Sequence, residues 1–347
     1  MKNKEFSTVD YFNARAMRYS LALKECELSR TLDVIPYLFF LNKFKKDKIK
    51  ILDAFGGTGY FAKTINNKYC NFTIADASFE MINQLDDVKN VSKIVANDDF
   101  DSVKKKFKNN KFDIVISHGG FHHAIIYKDV VKIKESKLKQ NYIAENLSSI
   151  VSKDGYFILS DIPDSNSYSD VFIHSDPETD ISISLNQMQN MISQDKIEFL
   201  SKILNIKKTE IFKLSEFQQL INNSINQKNV SFEVPKYFFN SYIARNTKLG
   251  HKASYINFDE IDQVIIRKGF KQIARLNLRT PWVFNSKHEV AWFFKEKFSI
   301  GKSTPIEESF LNENKLYEMV DKYLGVEVNN GLYMVNWGVT YSIFKKI

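Results

Sequence analysis

Cysteine is scarce in this sequence. Cys26 and Cys70, the only two in 347 residues, give no disulfide framework and no metal-ligand spacing. Both read as reduced, buried thiols of a cytoplasmic protein. Long apolar runs are missing too. The most compact one near the start, Tyr37-Leu38-Phe39-Phe40-Leu41, is far too short to span a bilayer. Met1-Lys2-Asn3-Lys4-Glu5 is too polar for a secretory signal, so no membrane partner is expected. There is no internal repeat and no low-complexity tract. A formal charge of +8 would suit a nucleic-acid partner, yet the lysines are scattered and acids lie between the runs Lys104-Lys105-Lys106 and Lys207-Lys208. No aromatic-plus-basic module of the RNA-binding kind is present. The charge therefore reads as solvated surface and no nucleic-acid partner is expected, while an anionic substrate or carrier stays open.

What remains is an ordinary globular composition, 44% hydrophobic and 26% charged, in a chain long enough for one large core or two smaller ones. The 29 Phe and 16 Tyr could line a pocket, although aromatics fill cores more often. Residues 8–46 carry apolar positions at helical spacing. From Ile49 onward, strands alternate with helices. Ile49-Lys50-Ile51-Leu52, Phe72-Thr73-Ile74-Ala75, Ile94-Val95-Ala96, Phe112 to Ile116 and Gly155 to Leu159 read as strands of a mostly parallel sheet covered on both faces. Residues 165–250, rich in Ser, Asn, Gln and Asp, break that rhythm and read as a helical insertion. Alternation resumes with a helix over Asp259 to Lys268, stopped by Gly269, a strand from Phe270 to Leu278, a helix near His288 to Phe298, and a last strand region to Phe344.

The loop Asp53-Ala54-Phe55-Gly56-Gly57-Thr58-Gly59 follows a strand and precedes a helix. Glycines there let the backbone approach a ligand, and the helix start offers free N–H groups. Asp76 ends the next strand roughly twenty residues on, where an acid can hold two ribose hydroxyls. A nicotinamide-dependent dehydrogenase would share both features.

The loop nevertheless resembles the first motif of the class I S-adenosylmethionine-dependent methyltransferases, and four further segments follow in that family's order. Ile74-Ala75-Asp76-Ala77-Ser78-Phe79-Glu80-Met81 is similar to the second motif, Val95-Ala96-Asn97-Asp98-Asp99-Phe100 to the third, and Phe112 to His123, with its paired histidines, to the fourth. Val151-Ser152-Lys153-Asp154-Gly155-Tyr156 resembles the turn before the fifth strand. The likeness covers residues 48–164. More loosely, Tyr11 to Ala16 with Tyr19 resembles the N-terminal lid of the quinone-methylase-like branch. Gly250-His251 and Thr280 to Phe284 resemble elements of small-molecule and natural-product methyltransferases.

The resemblance implies an α/β, Rossmann-like, seven-stranded, mostly parallel sheet with its last strand antiparallel. It implies an N-terminal helical lid (1–47), a cofactor-binding core (48–164), a helical cap insertion (165–254) over the strands' C-terminal edge, and a C-terminal part of the core (255–347). The implied cofactor is S-adenosyl-L-methionine. Its contacts would come from Asp53, Phe55, Gly57, Gly59, Asp76, Ala77, Met81, Asp98, Asp99 and Ser117, with Tyr11 and Tyr19 closing over the sulfonium through their π-faces. Phe55 departs from the family's usual first glycine, which leaves Gly57 and Gly59 as the close-approach positions. The implied activity is methylation of O, N or C of a small organic acceptor, in specialised biosynthesis. The Asn/Asp-Pro-Pro-aromatic motif of amino-directed base methylases is absent, since Ser117-His118-Gly119-Gly120 stands there.

Several roles stay open on the sequence. His122, His123 and His251 are candidate bases, because imidazole titrates near neutrality, but paired histidines also brace loops. Asp98 or Asp99 could face solvent, and Asp161 could contact the acceptor or cap a turn. His118 and His122 have the spacing of metal ligands on a helix, but a loop is expected there and no third ligand follows, so no metal is expected. A homologue that keeps the cofactor without transferring its methyl group is the alternative function, since cofactor motifs report binding and not turnover. A homo-oligomer is left open.

Overall fold

The computed structural model describes residues 7–44, 48–65, 70–86, 88–164, 181–224, 239, 243, 251–300 and 312–347. Seven strands form the main sheet: β1 (Ile49–Ala54), β2 (Cys70–Asp76), β3 (Val91–Val95), β4 (Phe112–His118), β5 (Val151–Asp161), β6 (Phe270–Arg279) and β7 (Gly338–Lys346). Their spatial order is β3-β2-β1-β4-β5-β7-β6. Neighbours from β3 across to β5 are parallel, and β7 runs antiparallel between β5 and β6. The expected mostly parallel seven-stranded Rossmann-like sheet is present, last strand included. Its order reverses between β1 and β4, and in such sheets the crevice beyond the strand ends at that reversal is where ligands bind.

The central strands are apolar on both faces because both are covered. Ile51, Ile74, Ile114, Ile116 and Ile158 face a layer made by helix α2 (Thr31–Lys43) and residues 181–221. Leu52, Ala54, Val115, Phe157 and Leu159, offset by one along the pleat, face helices Asp101–Phe107, Ile133–Ser149 and Phe258–Ile266. Every residue of α2 from Thr31 to Leu41 is buried, as a helix sandwiched between two layers must be. One carboxylate, Asp33, lies inside that run.

Helix α1 (Thr8–Glu25) belongs to a third cluster with helices Lys287–Phe298 and Glu313–Leu324. Beside it a small antiparallel sheet joins Trp282–Phe284, Leu332–Val335 and Val326–Asn329, which the sequence reading did not anticipate. The N-terminal layer thus divides: α2 covers the sheet face, and only α1 stands in a lid's place.

Two stretches of the expected cap, 165–180 and 225–250 apart from Phe239 and Ile243, lie outside the described residues. Its described middle, 181–224, is not purely helical, since Ser182–Ser184 pairs with Ile211–Lys213. It packs on α2 and β6 rather than over the crevice, because its buried Ile183, Leu185, Ile197, Leu200 and Phe217 complete that side of the core. Among the described residues no helix is long and apolar enough to cross a membrane.

Candidate active site

The loop after β1 is shaped by three positive-φ residues, Phe55 (59°), Gly57 (53°) and Gly59 (74°). Glycine accepts this conformation freely, whereas at Phe55 it is a strained choice. The Phe55 ring compensates by packing on Phe100 and Phe121, at centroid distances of 4.4 and 5.3 Å. It also fills the space beside Gly120, where an added Cβ would lie 2.2 Å from Phe55 Cβ. At Gly59 a Cβ would meet Leu85 at 2.6 Å, so that glycine serves helix packing, and it does not line the cavity.

Asp76 ends β2 beneath this loop. Its Oδ2 accepts from the Gly57 N–H at 3.0 Å and its Oδ1 from the Ser78 N–H at 2.8 Å. Burial pushes its carboxyl up to about 6 despite those bonds. Asp53 is 1% exposed and its Oδ2 has no hydrogen-bond partner among the described residues. Burial, and next the charge of Asp76, push it up to about 8, so a cationic group arriving there would favour its ionised form.

These groups open on a cavity of about 350 Å³. Asp53, Phe55, Gly57, Asp76, Ala77, Met81, Asp98 and Tyr19 line it as expected. Asp98 is also paired with Lys139 at 2.7 Å on the exposed rim. Besides Gly59, three expected cofactor contacts do not reach the cavity wall. Asp99 turns away to accept from the Asp101 N–H at 3.0 Å and the Asn97 side chain, capping the next helix. Ser117 is buried within β4. Tyr11 faces inward, bonded to Arg15, because one residue along a helix rotates the side chain by about 100°. Its neighbour Phe12 lines the cavity instead and meets His123 edge-on at 4.8 Å. The face of Tyr19 already has the Arg15 guanidinium 5.3 Å from its centroid.

The opposite end of the cavity is formed by the turn after β4, where Phe121–His123 make one turn of 3-10 helix. His123 lines the cavity. His122 lies behind it, its Nδ1 2.6 Å from Asp161 Oδ1, while Asp161 Oδ2 accepts from the His122 N–H at 3.2 Å. Asp161 therefore holds both the backbone and the ring of His122 in place. His251 comes in from the far side of the chain, with ring centroids 4.9 Å from His123 and 6.2 Å from His122. The segment it begins is anchored to the turn: the Ser254 N–H donates to His122 O at 2.8 Å, and Gln140 Nε2 donates to both Phe121 O and Ser254 O. Burial, followed by the neighbouring histidines, holds His123 well below the usual imidazole range. Burial, then His122, Arg15 and Lys297, does the same for His251.

Sequence reading missed a second polar cluster at the cavity wall. Asp33 is fully buried in α2 and accepts from Arg30 Nε at 2.9 Å, Thr280 Oγ1 at 2.8 Å and Trp282 Nε1 at 3.2 Å. His118 Nε2 stands 3.5 Å from it, and the other ring nitrogen of His118 meets Ser160 Oγ at 2.8 Å and Tyr37 OH at 3.1 Å. His118 is thus committed to this cluster and does not join His122. Arg30, His118 and Tyr60 line the cavity. A lone acid and a lone arginine flanking an apolar run carry no spacing signal.

Residues 52–141 match the methyltransferase domain family. The chain carries a methyltransferase domain. It is an S-adenosylmethionine-dependent methyltransferase, and its cofactor is S-adenosylmethionine. None of the curated proteins compared with the chain matches it. Several solved structures resemble the methyltransferase. YcgJ from Bacillus subtilis is 11% identical, over 91% of this chain and 97% of that one, with a TM-score of 0.41. The S-adenosylmethionine-dependent methyltransferase from Anabaena variabilis is 9% identical over 99% and 98%, with a TM-score of 0.45. The cyclopropane synthase MmaA2 from Mycobacterium tuberculosis is 13% identical over 90% and 84%, with a TM-score of 0.41.

The residues present fit the cofactor. An orphaned, buried carboxylate oxygen on Asp53 suits a cationic amino group, and Asp76 suits paired hydroxyls. Gly57 leaves the cavity wall open where a Cβ would lie 3.5 Å from Met81 Cε and 3.9 Å from Asp76 Oδ2. Calorimetry on the Asp76→Ala methyltransferase should show cofactor binding weakened by about 1–3 kcal/mol, the scale for hydrogen bonds to a charged group. Unchanged affinity in a folded variant would remove Asp76 from the cofactor site.

Proposed function

We propose that the enzyme methylates an oxygen, nitrogen or carbon of a small organic molecule bound between Phe12 and Tyr19 on one side and the histidine turn on the other. The observation that carries this reading is that His123, backed by His122 and Asp161, shares one cavity with the loop after β1 and Asp76. That cavity, at about 350 Å³, falls within the roughly 300–1,000 Å³ of small-molecule sites. Phe12, Ile125 and Ile126 give the acceptor end an apolar lining.

Bound there, the cofactor supplies a methyl group on a positively charged sulfur. The protein's own work is placement, which is where most of the rate can come from when the leaving group is already activated. Asp53, Gly57 and Asp76 would hold the cofactor, and α1 excludes water from one side. The histidine cluster would receive the acceptor's heteroatom and ease the loss of its proton, with Asp161 fixing the orientation of His122. In this reading the enzyme serves a biosynthetic pathway for a small metabolite.

The test is S-adenosylhomocysteine production, read by mass spectrometry, with panels of small phenols, alcohols, amines and carboxylic acids and with transfer RNA and protein as comparators. Product is expected to accumulate with a subset of the small molecules only. Turnover confined to the macromolecules, or cofactor binding with no turnover on any class, would overturn the proposal.

A further inference from the structure

His122, His123 and His251 each offer one ring nitrogen, and these three atoms all lie within 4.8 Å of one another. They come from segments well over a hundred residues apart in sequence, so their convergence is a product of the fold. Two independent features point to a ligand among them. His251 Nδ1 is buried and has no hydrogen-bond partner among the described residues, an unfavourable state for a polar atom unless something fills it. His122 has its Nδ1 engaged by the buried Asp161 carboxylate at 2.6 Å, which leaves Nε2 as the free ligand atom. Carboxylate–histidine pairing of this kind is how metal-binding imidazoles are oriented and made more basic.

We infer that His122, His123 and His251 bind one divalent transition-metal ion of the zinc class, with its remaining coordination position directed to the cavity that His123 lines. Three neutral imidazoles with one open position form a recurring catalytic donor set for this class. Metal–nitrogen bonds of about 2.0–2.1 Å in a tetrahedron bring the nitrogens to about 3.4 Å apart, so the longest separation must close by on the order of 1.4 Å. Side-chain rotation can supply this, since the Ser254 backbone N–H and the Gln140 side-chain amide already hold the two segments together.

The charges around the cluster are mixed. Asp161 faces His122, while Arg15 and Lys297 face His251. The Arg15 guanidinium is turned to Tyr11 OH and Lys297 O. The ion's role, receiving the acceptor heteroatom and lowering its pKa, rests on the function proposed above, whereas the binding site itself does not.

The experiment uses untagged, full-length protein stripped with a chelator and titrated with cobalt(II), with zinc then added in competition against a chromogenic chelator. One equivalent of cobalt per chain is expected, with the intense visible bands of a tetrahedral site that zinc abolishes. His123→Ala and His251→Ala should each remove the bands, and Asp161→Asn should weaken binding by about 10–100-fold. His288→Ala, which alters an exposed pair with Glu313, should bind like the wild type. Cofactor affinity, measured on the same samples, monitors folding and should hold within about twofold. Absence of tetrahedral bands in the wild-type titration, or full binding by folded His251→Ala, would overturn the site. Acceptor methylation that survives complete metal removal would overturn the ion's catalytic role and leave the acceptor reading standing. Stoichiometric metal with no methylation of any small molecule would uphold the site and reject that reading.

Discussion

Stability of the Asp33→Ala methyltransferase should fall by about 3–5 kcal/mol in denaturant titrations, the range for removing one partner of a buried ion pair. Arg30 would be left as a buried cation without its carboxylate, and the Thr280 and Trp282 donors would lose their acceptor. The sign of the pH dependence follows from the same contacts. Burial alone would raise the Asp33 carboxyl, but Arg30, and then His118 and Thr280, hold it well below the usual carboxylate range. A depressed folded-state pKa contributes stability that is fully present above the unfolded value near 3.9 and is lost as pH falls toward the folded one. Wild-type stability should therefore decline in acid below about pH 4, and the Asp33→Ala enzyme should show less of that decline. An effect under about 1 kcal/mol, the scale of a surface pair, would mean that Asp33 does not bear the charge of Arg30.

Single-turnover methylation by His123→Ala should be slower by about 10²–10⁴-fold, the usual contribution of a group that handles the acceptor's proton. Cofactor affinity should hold, because the proposed cofactor contacts Asp53, Gly57 and Asp76 come from the ends of β1 and β2 and the loop after β1. If the histidines only braced the turn, rate, affinity and stability would fall together, since the 251–254 segment hangs on the His122 carbonyl. Wild-type rates in His122→Ala, His123→Ala and His251→Ala alike would leave placement as the whole mechanism.

The portion of the enzyme legible in its sequence is the portion fixed by local rules. Apolar strands, positive-φ glycines and an acid at the next strand end are features of a few consecutive residues, and they locate β1, β2 and the loop between them. What escaped depends on contacts distant along the chain. Tyr11 and Phe12 are both aromatic, and only the docking of α1 decides which one faces the cavity. Asp33 reads as an interruption of an apolar helix until Thr280 and Trp282 are brought against it. His251 became a third histidine beside His122 and His123 only through folding, which is why the sequence offered no metal ligand set. The middle of the insertion read as a cap because its helical spacing is plain, whereas its destination, against α2 and β6, is set by surface that those elements leave uncovered.

Phe55 gives the two halves of the cavity a shared mechanical part. Its ring rests on Phe121 and against Gly120, so the loop beneath the cofactor and the turn that carries His122 and His123 cannot shift independently in a core packed this tightly. Free energies of binding to linked positions are reciprocal, so whatever the cofactor does to the tightness of the turn, an acceptor at the turn does equally to the cofactor. Any coupling between cofactor and acceptor affinities would therefore run through one aromatic side chain. Trimming Phe55 to leucine is the way to uncouple them.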